Sequence, residues 1–133
     1  MDRDAGAAAA LDRWATRAPC RVEVIETDFA RDAELLHEKQ HALDGLLLAN
    51  SLHFVEDADA VLGRLVKLLK PGGRVVLVEY DRRERSRWVP YPISLSRLPE
   101  LARAAGLSAP VVTATRPSLY SGTLYVAAAD RLR

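Results

Sequence analysis

Residues 43–80 read LDGLLLANSLHFVEDADAVLGRLVKLLKPGGRVVLVEY, and this stretch decides the fold. Leu43 to Ala49 form a nearly continuous apolar run, the pattern of a strand covered on both faces in a parallel sheet. Asp57 supplies a helix N-cap, and Ala58, Val61, Leu62, Leu65, Leu68 and Leu69 recur at helical spacing behind it. Lys70-Pro71-Gly72-Gly73 then turns the chain, because Pro cannot extend the helix and paired Gly can bend the backbone. Arg74 to Tyr80 follow as a second Val-rich strand.

Outward from this unit the alternation continues. Residues 5–17 are alanine-rich, with Leu11, Trp14 and Ala15 on one helical face, and Pro19 ends that helix. Residues 21–27 alternate Val22, Val24 and Ile25 with Arg21, Glu23 and Glu26 and predict a strand. A weaker helical pattern runs from Ala30 to Lys39. Beyond the second Val-rich strand come a charged, aromatic loop from Asp81 to Ser94 and a helix over 95–105 closed by Gly106. Two strands, near 110–115 and 120–129, complete the chain. Their connection is too short for a parallel crossover, so they are antiparallel neighbours. The expected fold class is therefore α/β, a mostly parallel sheet with one antiparallel C-terminal strand.

The 133 residues make one domain, 1–133, and with 49% hydrophobic residues the chain can bury a core. Nineteen basic against eighteen acidic residues leave a formal charge of +1, which argues against a dedicated nucleic-acid binder. The longest uncharged stretch, Pro117 to Ala129, is shorter than the roughly 20 apolar residues of a membrane span and is broken by Ser, Gly and Thr. A single cysteine, Cys20, excludes an internal disulfide framework and a Cys-based zinc site. Met1-Asp2-Arg3-Asp4 lacks the pattern of a signal peptide, so the expected location is cytoplasmic.

Three segments in order carry a family resemblance: Thr27-Asp28-Phe29, then Leu43 through His53, then Leu68-Leu69-Lys70-Pro71-Gly72-Gly73-Arg74-Val75-Val76-Leu77-Val78-Glu79. Their sequence and spacing resemble class I S-adenosylmethionine-dependent methyltransferases, and the similarity covers roughly residues 2–129. The Leu-rich helix closed by Lys-Pro-Gly-Gly directly before a Val-rich strand is its most specific part. The resemblance implies a Rossmann-like methyltransferase sheet. The family's Gly-rich turn, G-x-G-x-G, occurs nowhere in the chain. Met1 to Asp4 resemble the end of the family's second strand, so the N-terminal β-α-β unit is expected to be missing and the domain truncated. Removing two strands at a spacing of about 4.8 Å leaves a gap of roughly 14 Å beside the 43–49 strand. Sliding of strand 21–27, a second copy of the chain, or an incomplete gene product would account for it, and the last is the favoured origin.

The resemblance also assigns sites. Asp2, with Arg3 beside it, stands where the family's acidic residue accepts hydrogen bonds from the cofactor's ribose; a solvated terminal Asp is the competing reading. Asp28 and Phe29 match positions that meet the adenine, although Asp28 also suits a helix cap. Asn50 lies where open α/β sheets bind ligands, or is a plain turn residue. His53 is the candidate catalytic base, with lining of the pocket as the alternative. In the loop after Tyr80, the four arginines Arg82, Arg83, Arg85 and Arg87 with Trp88 and Tyr91 are candidates for a pocket that binds an anionic or aromatic acceptor, with Arg87, Trp88 and Tyr91 first among them, against a solvated loop with one aromatic anchor. His37 and His41 are spaced for one helix face, but no third ligand is evident and no metal is expected.

The implied function is methyl transfer from S-adenosylmethionine to a small-molecule acceptor, a transferase activity that the absent Gly-rich turn should weaken in this chain alone. The alternative is a non-catalytic methyltransferase remnant, an interaction module that forms a homodimer through an exposed sheet edge. Neither a membrane nor a nucleic acid is an expected partner.

Overall fold

A computed structural model describes residues 1, 3–32 and 41–133, and divides the chain into two compact units, residues 1–37 and 38–133. In the first unit, helix α1 (Ala5–Ala15) begins at Asp4, whose Oδ1 accepts the Ala7 N–H at 2.8 Å. It closes on Thr16, whose hydroxyl donates to the Arg13 carbonyl at 2.9 Å. The predicted strand over 21–27 does not form. Its periodicity survives in burial, with Val22 and Val24 half-buried and Arg21, Glu23 and Glu26 exposed. An alternating sequence becomes a strand only when a ladder satisfies its backbone, and the four-stranded sheet contains no part of this segment. The helix predicted from Ala30 to Lys39 lies mostly outside the described residues.

The second unit follows the sequence closely. Strand β1 (Leu43–Ala49) leads through the 3₁₀ turn Leu52–Phe54 into helix α2 (Ala58–Val66), and α2 returns to strand β2 (Leu69–Asp81). Helix α3 (Leu98–Ala104) and the hairpin of β3 (Val111–Pro117) and β4 (Thr123–Asp130) complete it. The strand order is β1-β2-β4-β3. β1 is parallel to β2, while β4 is antiparallel to both β2 and β3, so three strands share one direction and β4 opposes them.

The Lys-Pro-Gly-Gly turn is an excursion at the start of β2. Its register with β1 jumps from Leu43↔Leu69 to Gly45↔Arg74, and the four residues 70–73 fall inside that jump. Gly72 adopts φ 79°, and a Cβ on Gly73 would stand 3.0 Å from the Lys70 carbonyl oxygen and 3.2 Å from that of Asp44. Two glycines are needed for two reasons: one for its dihedral, one for the backbone passing beside it.

Alternation along β2 sorts the sheet's faces. Val75, Leu77 and Glu79 are buried, together with their register partners Leu48 on β1 and Tyr125, Ala127 and Ala129 on β4. Helices α2 and α3 pack on each other, and α2 packs on β2, contributing Val61, Leu62, Leu65, Leu98 and Leu101 to the core. The other face is only half covered: Val76, Val78 and Tyr80 are partly exposed and Leu47 is 65% exposed. The expectation that β1 is covered on both faces is therefore corrected, because β1 is an edge strand with helices over one face.

Candidate functional site

At the carboxyl ends of β1 and β2 the chain builds a buried polar knot. Asn50 leaves β1 in the left-handed region, φ 50°, while its N–H donates to the Val78 carbonyl at 2.8 Å. That reversal starts the turn that places His53 beneath the surface, with its side chain 3% exposed. Glu79, fully buried at the end of β2, takes three hydrogen bonds from this turn. Its Oε1 accepts from the Leu52 and His53 N–H groups at 3.0 and 3.3 Å, and its Oε2 lies 2.6 Å from His53 Nδ1. An ionised carboxylate only accepts, so with Glu79 as acceptor the proton of this hydrogen bond sits on His53 Nδ1. The His53 carbonyl in turn accepts the Tyr91 N–H at 3.0 Å, which ties the loop after β2 to the same turn.

Tyr125, opposite Glu79 in the β2–β4 register, is also fully buried and donates its hydroxyl to the Ile93 carbonyl at 2.8 Å. Burial, reinforced by the charges of Glu79 and Asp81, pushes its phenol well above the ordinary tyrosine value. Asp81 closes β2 by accepting the Leu95 N–H at 2.9 Å. Carboxylates at the end of β2 thus hold down both segments that follow the carboxyl ends of the parallel strands.

The arginine loop is organised by aromatic rings. Arg83 lies 5.0 Å from the Tyr80 ring centroid and 5.9 Å from that of Tyr120, Arg85 lies 5.0 Å from Tyr91, and Arg87 lies 4.5 Å from Trp88. Such distances suit cation–π attraction. Ser86 and Val89 exchange both backbone hydrogen bonds, at 3.1 and 3.2 Å, and the tight turn between them presents the Arg87–Trp88 stack to solvent. Trp88 is 64% exposed. A cavity of about 400 Å³ beside this turn is lined by Arg82, Arg83, Glu84, Arg85, Ser86 and Ser121. Of the loop residues named from the sequence, Arg82, Arg83 and Arg85 line it, and Arg87, Trp88 and Tyr91 do not.

In the first unit, Asp28 Oδ1 accepts the Ala30 N–H at 2.9 Å, while Oδ2 lies 3.8 Å from Arg3 Nη1 and 3.9 Å from Arg31 Nε. Asp32 braces the same turn, accepting from the Thr27 hydroxyl at 2.9 Å and from the Asp28 N–H at 3.2 Å. Arg3 and Asp28 are thereby brought together, and Phe29 sits half-buried beside them. Asp2 and His37 lie outside the described residues. His41 Nδ1 stands 2.8 Å from Arg131 Nη1, at the opposite end of β1 from Asn50.

Glu79 and Tyr80 are not candidate site residues in the sequence reading, whereas Arg83 is one of its four loop arginines. Glu79 is the informative omission, for a carboxylate at the end of a Val-rich strand reads as solvent-facing until the turn 27 residues earlier folds over it. A buried acid alternating in phase with Val75 and Leu77 was the available signal.

Known proteins share this fold. The family model described as a methyltransferase domain matches residues 1–77, more than half of the chain. Among characterised relatives, the demethylmenaquinone methyltransferase of Streptomyces avermitilis is 29% identical over 109 residues, covering 78% of this chain and 46% of its own length. The crystal structure of Burkholderia thailandensis 1,6-didemethyltoxoflavin-N1-methyltransferase, with bound 1,6-didemethyltoxoflavin and S-adenosylhomocysteine, superposes with a TM-score of 0.73 at 22% identity. That match covers 92% of this chain and 56% of the other. The DszA carbon methyltransferase superposes at 0.77 with 19% identity, over 98% of this chain and 38% of its own. The chain thus spans about half the length of such relatives. By the match over residues 1–77, with a sheet shared with these structures, the chain belongs to the methyltransferase domain family.

Proposed function

We propose that this chain serves S-adenosylmethionine-dependent methyl transfer to a small-molecule acceptor. The observation that carries the reading is the family match over residues 1–77, which ends inside β2, two residues before Glu79. The cofactor, when bound, supplies an electrophilic methyl group on a sulfonium, so the protein's task is alignment of the acceptor more than bond polarisation. The residues present fit the adenosine part of that cofactor. Asp28 Oδ2 forms ion pairs with Arg3 and Arg31 at 3.8 and 3.9 Å, beyond hydrogen-bond distance, so it can still accept from an exocyclic amine, and Phe29 offers a ring beside it. Asp2 and Arg3 are the proposed contacts for the ribose, and Asn50 the proposed contact at the end of β1. No Gly-rich turn is present in the sequence for the methionine part.

His53 has the partner a general base needs, since Glu79 fixes its tautomer and orientation. Its burial supports a positioning role for the turn as much as proton removal. Arg87, Trp88 and Tyr91 are proposed to meet the acceptor from the loop's exposed side. A cytoplasmic location accords with this reading, and no helix among the described residues is long and apolar enough to cross a membrane. Calorimetric titration with S-adenosylhomocysteine tests the proposal. Saturable but weak binding, as the absent Gly-rich turn requires, weakened further by at least about tenfold in Asp28→Ala, is the expected result. No binding at millimolar ligand would overturn methyl transfer by this chain.

One observation favours a second reading, association of two copies. Among the described residues β1 pairs only with β2, and its Leu47 is exposed, so its outer edge is a template for another strand.

A further inference from the structure

The cavity beside the arginine loop is lined by an arginine that has an unsatisfied polar atom. Arg83 Nη1 is buried and has no hydrogen-bond partner among the described residues. Its guanidinium carbon lies 5.0 Å from the Tyr80 ring centroid and 5.9 Å from that of Tyr120, and these rings leave its in-plane N–H groups to find acceptors elsewhere. The neighbours sharpen the demand. Arg82 stands 3.8 Å from Asp81 and Arg85 is stacked on Tyr91, while no carboxylate lies within ion-pair distance of Arg83 among the described residues. Three guanidiniums face this cavity with one carboxylate, Glu84, and the Ser86 and Ser121 side chains complete the lining.

The cavity wall is set by the β3–β4 hairpin. Ser121 adopts φ 108° and Gly122 φ 70°, and a Cβ on Gly122 would stand 2.5 Å from the Asp81 carbonyl oxygen. Only glycine permits this approach, which brings the hairpin tip against the root of the arginine loop and seats Ser121 across from Arg83. The site is also connected to the buried knot, because the Tyr80 ring lies 5.7 Å from that of His53 on one side and 5.0 Å from Arg83 on the other.

We infer that this cavity is an oxyanion subsite, in which Arg83 binds a carboxylate or phosphate group carried by a small molecule. A planar guanidinium fork matches two oxygens of either group, and the volume of about 400 Å³ admits the group with part of the molecule that bears it. The assignment of that molecule as the methyl acceptor rests on the proposed methyl transfer; the binding of an oxyanion does not. The subsite therefore predicts an acidic acceptor, and it adds Arg83 to Arg87, Trp88 and Tyr91 as a residue that recognises it.

The test is calorimetric titration of the whole chain, without cofactor and at constant ionic strength, with inorganic phosphate and separately with benzoate. Saturable binding of at least one of them is expected, and the stronger of the two identifies the charged group. Arg83→Gln should weaken it about tenfold and Arg83→Lys, which keeps the charge but loses the fork, by a smaller factor. Arg103→Gln, an equal loss of charge on α3, should leave it within about twofold. Absence of saturable binding by both anions overturns the subsite. Equal affinity in wild type, Arg83→Gln and Arg83→Lys overturns the role of Arg83. A parallel titration with S-adenosylhomocysteine separates the two readings: its failure, with phosphate or benzoate still bound, removes methyl transfer and leaves the subsite standing.

Discussion

Glu79 shows how much one side chain can organise at the residue scale. It accepts from two backbone N–H groups and one imidazole, all buried, so its removal strands three donors at once. Each unsatisfied buried donor costs about 1–3 kcal/mol, and loss of one partner from a buried network costs about 3–5 kcal/mol in all. Glu79→Ala should therefore lower stability by about that amount in urea denaturation, while Glu79→Gln, which retains one carbonyl acceptor, should lose roughly half as much. A loss in Glu79→Ala below about 1 kcal/mol would show that the 50–54 turn holds its shape without the carboxylate. The same residue marks the limit of sequence reading. Asn50 and His53 stood out because they follow an apolar strand, whereas Glu79 acquires its meaning only when those residues fold onto it. Arg83 is similar, for its second ring, Tyr120, arrives from a hairpin more than thirty positions later.

At the scale of elements, the strands that proved legible are those whose partners lie nearby in the chain or are specified by strong turns. β1 was placed at its observed bounds, and β2 through its Val-rich core, because the helix and the Lys-Pro-Gly-Gly turn between them leave one way to pair. The 21–27 segment had equal alternation, yet among the described residues it joins no ladder beyond a single bridge at Glu26, and local pattern cannot supply one. Pairing also fixes the electrostatics of β2 and β4, where Arg74 and Asp130 face each other across the ladder and form two hydrogen bonds, at 2.8 and 3.1 Å. The hydrogen bond from Arg74 holds the Asp130 carboxyl below its ordinary value. Because the folded value is lowered, the pair's contribution is complete above the unfolded carboxyl pKa of about 4 and is lost as pH falls through the folded one. Urea midpoints of wild type and Asp130→Asn should thus differ at neutral pH and converge in acid. A gap unchanged with pH would assign the stabilisation to packing of the side chains.

For the whole molecule, the order β1-β2-β4-β3 leaves a sheet with two edges that are not equivalent. β3 is exposed along its whole length and carries Arg116 and Pro117, residues that resist further pairing. β1 has neither Pro nor Lys, its one charge, Asp44, stands near its start beside Lys70, and its Leu46-Leu47-Leu48 run is apolar, so its second half lacks the charge that would discourage a second strand. Two copies meeting edge to edge along β1 would pair the outer backbone groups of both, and the exposed Leu47 side chains would approach each other on the open face. Light scattering behind size exclusion should accordingly report a mass rising towards twice 14.7 kDa as concentration increases. Leu47→Lys should return it to that of one chain, since the charge opposes its own copy across a two-fold axis. The substitution lies on an exposed position, so its effect on the urea midpoint should stay within about 0.5 kcal/mol. A chain that remains monomeric at every concentration would remove association through β1, and with it the non-catalytic reading that depends on a second copy.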